Sequence, residues 1–285
     1  MTSPAVPPAP RHECCASGSE TVLFLHGMPT SSRLWDRVIA PMRERFPCLA
    51  VDLPGLGSAS PLDGGFRRLD QLADHLESIR QQRGIARWNI VGHDAGCAVG
   101  IEYAHRYPQH VHRLALVTPS IFPELRPYVL FELLRCPVMG ELMAPAVSLC
   151  FWHIVMPAAM TRGGTSPGER QAAIRNFRAP FRGIGGAWRL MNLLRWGDPA
   201  EVLGAIPHRL PALSAPTLIF HGRSDAAVPP EFAARAAALI PDAELIWLDA
   251  GHFLPWNEAP VLAARLSTFF SHAMPVEGTP VFARP

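Results

Sequence analysis

Ile90-Val91-Gly92-His93-Asp94-Ala95-Gly96 closes an apolar run, Trp88–Gly92, and opens a stretch of small residues, Cys97–Tyr107. A buried strand that breaks into a sharp turn and re-enters as a helix needs that pattern. Side chains at Gly92 and Gly96 would block the tight turn and the approach of helix to strand, and the residue between them is thrust into whatever site the turn serves. Here that residue is Asp94. Its carboxyl group, with an ordinary pKa near ~3.9, is ionised at neutral pH and needs no base before it attacks. Such a nucleophile suits displacement at a saturated carbon.

Around this turn, short β-rich apolar runs alternate with longer helical patterns. Thr21–His26, Cys48–Leu53, Trp88–Gly92, Arg113–Thr118, Thr217–His221 and Glu244–Leu248 read as buried strands of a parallel sheet. Leu69–Arg83, Cys97–Tyr107, Pro230–Ile240 and Ala259–Ser271 read as helices covering both faces of that sheet. From Ser120 to about Leu213 the rhythm breaks: Leu125–Leu134, Leu142–Val155, Glu169–Phe177 and Ala187–Leu194 are helical patterns with no clear strand between them. The expectation is an α/β core over 19–120 and 213–276, a helical cap over 121–212, an irregular lead over 1–18 and a loose tail over 277–285. Ahead of Thr21, only His12–Gly18 has the character of a remnant strand.

The 285 residues suit one large α/β domain with an insertion. Formal charge is close to balanced at +2, and every basic side chain is arginine. Without lysine there is no Schiff base and no Walker-type phosphate lysine, and nothing resembles the basic footprint of a nucleic-acid binder. The proline-rich Met1–Pro10 has neither the basic start nor the apolar stretch of a signal peptide or membrane span, which implies a cytoplasmic protein with no membrane partner. Six cysteines without a C-x-x-C pair read as free thiols in a reducing compartment. The alanine-, proline- and arginine-rich composition suggests a bacterial coding sequence.

Three more segments fall at the carboxyl ends of expected strands, where an open α/β sheet builds its site. Leu25-His26-Gly27-Met28-Pro29 follows the first strand, and the Met28 N–H can join that of Ala95 in an oxyanion hole. Phe220-His221-Gly222-Arg223-Ser224-Asp225 places a carboxylate after the penultimate strand, and Gly251-His252-Phe253-Leu254-Pro255 places an imidazole after the last. Asp225 also reads as a helix N-terminal carboxylate ahead of Val228-Pro229-Pro230, with Asp249 as the reserve acid. His93 is turned away from Asp94 by strand alternation and reads as structural; His26 reads as organiser of the oxyanion turn. No metal site is expected, because His105, His110 and His112 lack a carboxylate ligand pattern.

From about Ser19 to Ala273 the chain resembles the α/β-hydrolase superfamily, whose nucleophile, acid and histidine follow the order seen at 94, 225 and 252. Within it, the chain looks like the aspartate-nucleophile branch of haloalkane dehalogenases and epoxide hydrolases. His26-Gly27-Met28-Pro29-Thr30-Ser31-Ser32, ending in Leu34-Trp35, is similar to the dehalogenase oxyanion segment. Asp52-Leu53-Pro54-Gly55-Leu56-Gly57-Ser58 is similar to the family loop that follows, and Gly92-His93-Asp94-Ala95-Gly96 to the elbow. The resemblance implies the α/β-hydrolase fold, a mostly parallel sheet flanked by helices, with a helical cap inserted after the sixth strand.

There are departures. Haloalkane dehalogenases typically follow the nucleophile with a halide-holding tryptophan and often place asparagine or tryptophan after His-Gly; Ala95 and Met28 stand there. Fluoroacetate dehalogenases follow the aspartate with arginine, so Ala95 disfavours a small anionic substrate. Epoxide hydrolases use two cap tyrosines, and of Tyr103, Tyr107 and Tyr128 only Tyr128 falls in the cap.

The resemblance thus implies a hydrolase of a small or medium uncharged substrate, with Asp94 forming a covalent alkyl ester and His252, oriented by Asp225, activating the water that cleaves it. The N–H groups of Met28 and Ala95 would hold the oxyanion, and no cofactor or metal is needed. Trp152, His153 and Trp188 are cap candidates for contacting the substrate, since indole donates and imidazole does either; tryptophan equally anchors a lid by packing. Two other readings stay open: a ligand-binding or natural-product pathway protein with little hydrolysis, and an ester or carbon–carbon hydrolase variant.

Overall fold

The computed structural model describes residues 21–60, 62, 68–126, 129–160, 166–195 and 197–271. The remnant strand read at His12–Gly18, the tail and Tyr128 lie outside them.

Six strands form one sheet: β1 (Thr21–Leu25), β2 (Cys48–Val51), β3 (Trp88–His93), β4 (Val111–Val117), β5 (Thr217–Gly222) and β6 (Ala243–Leu248). They are ordered β2-β1-β3-β4-β5-β6, and every neighbouring pair is parallel. All residues of β3 and β5 are buried irrespective of which way they point, the mark of a sheet covered on both faces. The half-exposed β6 closes one edge.

The first half supplies helices α1 (Asp36–Met42), α2 (Leu69–Gln82) and α3 (Ala95–Arg106). Gly100 lets α3 lie close on the sheet, since a Cβ there would meet Ile90 at 3.3 Å. Tyr103 on α3 donates to Glu77 of α2 at 2.7 Å, tying the two helices together. Between β4 and β5 lie α4 (Val129–Arg135), α5 (Met139–Cys150), a π-helical turn (Phe151–Val155), α6 (Met156–Ala159), α7 (Pro167–Arg178), α8 (Gly183–Leu194), α9 (Pro199–Leu203) and α10 (Ile206–Arg209). The chain ends with α11 (Pro230–Leu239), α12 (Leu254–Asn257) and α13 (Ala259–Ser271), the last packing on α1.

Among the described residues the helical insertion follows the fourth strand and not the sixth, because β5 and β6 both come after it in the chain. α5, the π turn and α6 run without a break as Met139–Ala159, long and apolar enough to cross a membrane by length and composition. The two short helices before β2, Ser32–Trp35 and α1, have no counterpart in the sequence pattern, because each is too brief for a helical period to stand out.

Order reverses at β1: the chain steps to β2 on one side and returns to β3 on the other. The carboxyl ends of β1 and β3 therefore flank a crevice, the topological switch point of an open sheet. Met28 and Asp94 sit there.

Candidate active site

Asp94 occupies the turn between β3 and α3 at φ 52° and ψ −122°, a conformation that non-glycine residues rarely adopt. It persists because the surroundings leave no alternative: Asp94 N–H is bonded to Val117 C=O of β4, and Cys97 N–H to Asp94 C=O. The two flanking glycines are steric necessities. A Cβ on Gly92 would lie 2.7 Å from Gly96 O, and one on Gly96 would lie 2.5 Å from Leu25 O. Gly27, on the opposite loop, clears the carboxylate itself, since a Cβ there would stand 2.4 Å from Asp94 Oδ2.

That carboxylate accepts from the Met28 N–H at 3.0 Å, and the Ala95 N–H and the Ser120 hydroxyl also favour its charged form. Burial nevertheless dominates and pushes the Asp94 pKa above the ordinary carboxylate value, with the charge of His252 opposing it. The Met28 loop is pinned by His26, whose Nδ1 bonds Gly27 O at 2.9 Å while Nε2 accepts from Leu53 N–H at 3.0 Å. His26 is fully buried and organises the turn as expected.

Across the crevice, His252 Nδ1 bonds Asp225 Oδ2 at 2.9 Å. The other Asp225 oxygen accepts from the N–H groups of Ala227 and Val228 at 2.7 and 3.0 Å. The two readings of Asp225 are thus both present: one oxygen caps the turn ahead of α11 and the other faces the imidazole. Asp249 is exposed and lies beside Arg223 at 3.5 Å, away from the site. Burial disfavours charge on both partners of the 225–252 pair, but their mutual attraction outweighs it: Asp225 falls to about 2 and His252 rises to about 8, the Asp94 charge adding to the latter.

His93 is 1% exposed, bonds the His252 carbonyl through Nε2 at 3.0 Å, and is driven down to about 3 by burial and by the His252 charge. It supports the loop that carries His252. Among the described residues no three histidine, cysteine, aspartate or glutamate side chains converge on a point where a metal would sit.

Asp94, Ala95, Met28, Ser120 and His252 share one wall of a cavity of about 120 Å³. The insertion supplies the other: Phe131, Phe151, Val155, Met156, Leu194 and Leu203 make it apolar except for Arg126 at its start. Trp152, His153 and Trp188 are not among the lining residues. Trp152 is 1% exposed and wedged against Phe151 and Phe181, filling the interior of the insertion. His153 points to solvent and accepts from Arg178 at 2.7 Å, and Trp188 packs half-buried against the core. Sequence reasoning missed Ser120 and Arg126, which do line the cavity. The available signal was position: Thr118-Pro119-Ser120 follows β4 at the same carboxyl edge as the other site loops, and Thr118 there has φ 47°.

Fold and site together define an α/β hydrolase, and a family model for the alpha/beta hydrolase fold matches residues 20–135. A haloalkane dehalogenase of Bradyrhizobium diazoefficiens is 30% identical over 277 residues, covering 88% of this chain and 86% of its own. The solved structure of haloalkane dehalogenase DbeA from Bradyrhizobium elkani superposes with a TM-score of 0.75 at 30% identity, covering 91% of this chain and 92% of that one. A cis-3-alkyl-4-alkyloxetan-2-one decarboxylase of Shewanella oneidensis is 26% identical over 82% of this chain and 77% of its own. The chain belongs to the α/β-hydrolase superfamily, in its haloalkane dehalogenase branch, and is a hydrolase.

Proposed function

We propose that Asp94 is the nucleophile of a hydrolase acting on a small or medium uncharged substrate, of the haloalkane dehalogenase or epoxide hydrolase type, with the insertion as its cap. The observation that carries this reading is the shared cavity wall, where Asp94, held by the Met28 N–H, meets a His252 already bonded to Asp225. The carboxylate attacks a saturated carbon and either expels halide or opens a strained ring, whose alkoxide takes a proton from protonated His252, and an alkyl ester is left on Asp94. Ester formation removes the Asp94 charge, one of the influences that hold the His252 pKa up, so the imidazole loses its proton more readily once the ester has formed. Neutral His252 then takes a proton from water, which attacks the Asp94 carboxyl carbon, and the N–H groups of Met28 and Ala95 stabilise the resulting oxyanion; its collapse breaks the ester C–O bond, the departing alcohol oxygen takes the proton from His252, and the Asp94 carboxyl group is restored. Apart from Arg126 the roof is apolar, which suits an uncharged substrate.

The test is a single turnover in ¹⁸O-water with a panel of bromoalkanes and epoxides. An ester route puts unlabelled oxygen from Asp94 into the product and label into the enzyme; labelled product in the first turnover means direct attack by water and defeats the proposal. The scarcity of donors for a leaving group favours a second reading, a ligand-binding protein with little turnover: Ser120 and Arg126 are the side chains that join His252 in that capacity among the described lining residues.

A further inference from the structure

Water selects for charged and polar residues on the outward side of a surface helix. The outward side of Met139–Ala159 is apolar instead. Val138, just ahead of it, is 71% exposed, Leu142 73%, Leu149 57% and Ile154 65%. Pro145 and Ala146 are exposed between them, and Leu142, Pro145 and Leu149 at i, i+3 and i+7 share one face. At a rise of 1.5 Å per residue, 21 residues make a ridge roughly 30 Å long. The inward side is committed elsewhere: Ala144, Val147, Phe151 and Trp152 are buried where α5 meets α4 and α8.

Charge is distributed as unevenly as apolar surface. Residues 121–212 hold ten arginines against six carboxylates, a net +4, whereas the rest of the chain holds sixteen against eighteen, a net −2. Carboxylates beside the ridge are neutralised within the insertion, Glu141 by Arg195 and Glu132 by Arg135. Arg178 reaches the ridge by donating to His153, and neither it nor Arg175 or Arg182 has an acidic partner among the described residues.

We infer that this ridge is a docking surface for an anionic lipid bilayer. Met139–Ala159 lies along the membrane plane with Leu142, Leu149 and Ile154 at the acyl boundary and the surplus arginines among the headgroups. The helix lies on the bilayer and does not cross it, because its other face is held by α4 and α8. A second copy of the chain is the poorer occupant: with Arg209 paired to Glu102 of the core, each insertion still carries a surplus of three positive charges, and a two-fold contact through the ridge would set two such surpluses against each other. Phe151, Val155 and Met156 of the same segment line the cavity, so docking sets its roof beside the phase in which an apolar substrate concentrates; this last consequence rests on the function proposed above, whereas docking itself does not.

Co-sedimentation of the full chain with vesicles of phosphatidylcholine alone, or with about a third phosphatidylserine, tests the inference without any substrate. Expected is binding at least ~10-fold tighter to the anionic vesicles, weakened by salt, and lost by at least ~10-fold in L142E/L149E of unchanged circular dichroism. If that pair perturbs folding, R175E/R178E on the exposed arginine side should give the same loss. Failure to bind either vesicle, equal binding to both, or a wild-type dimer that L142E/L149E turns into a monomer overturns it.

Discussion

The Met28 main-chain N–H donates to Asp94 Oδ2 across 3.0 Å, so the turn after β1 holds a side chain that β3 delivers. The contact exists because Gly27 has no side chain: a Cβ there would stand 2.4 Å from the same oxygen. Gly27→Ala is therefore expected to displace the carboxylate and cut kcat by ~10²-fold, the usual consequence of a misplacement near 1 Å. Circular dichroism should be unchanged; wild-type kinetics in the variant would show that the contact does not position Asp94.

Removing the charge opposite His252 tests the electrostatics of the pair. In Asp225→Asn the imidazole keeps the burial that lowers its pKa and loses the partner that raises it, so it should titrate well below its value of about 8. An NMR titration of the His252 ring reads this directly, and kcat at neutral pH should fall by ~10³-fold or more, since the wrong tautomer is then favoured. An unchanged titration would mean that Asp225 is only the cap of the turn before α11.

Elbow packing makes a prediction about stability alone. Gly96→Ala would place a Cβ 2.5 Å from Leu25 O, against backbone that has no rotamer to yield. The cost should be ~1–3 kcal/mol, seen as a lower midpoint in urea. Gly168→Ala, in α7 where a Cβ meets nothing within 4 Å, is the control and should leave the midpoint unmoved or raise it slightly.

Stability should peak near pH 6.5. His93, held neutral at a pKa of about 3, takes up its proton more readily in the unfolded chain, so its contribution is present above 6.5 and is lost as pH falls toward 3. His252, raised to about 8, contributes fully below 6.5 and loses that contribution as pH rises through 8. Each of these two groups should contribute a slope of up to ~1.4 kcal/mol per pH unit. His93→Gln should make the acid limb shallower, not abolish it, in urea unfolding between pH 4 and 6, because His26, His75, His112 and His221 are lowered by burial as well; an unaltered slope would place the His93 contribution elsewhere.

Features of the site dictated by sterics were legible in the chain. Gly92 and Gly96 announce an elbow because no other residue fits, and Asp94, Asp225 and His252 could be ordered because parallel strands deliver their loops to one edge. What faced the cavity from the insertion was not legible. Trp152 and Phe151 are adjacent on one apolar helix, and only the packing of α5 against its neighbours decides that Phe151 lines the cavity while Trp152 stacks on Phe181. The outward ridge was hidden for the same reason: a helix that is apolar all round has no periodicity to say which side is covered.

Intact-protein mass spectrometry of His252→Gln after exposure to haloalkanes, epoxides and lactones tests the central claim most directly, because without the base the ester on Asp94 should persist. A trapped adduct that maps to Asp94 is expected, at the substrate mass less hydrogen halide for a displaced halide or at full substrate mass for an opened ring. A folded variant that stays unmodified by every class of substrate turned over by the wild type would contradict it.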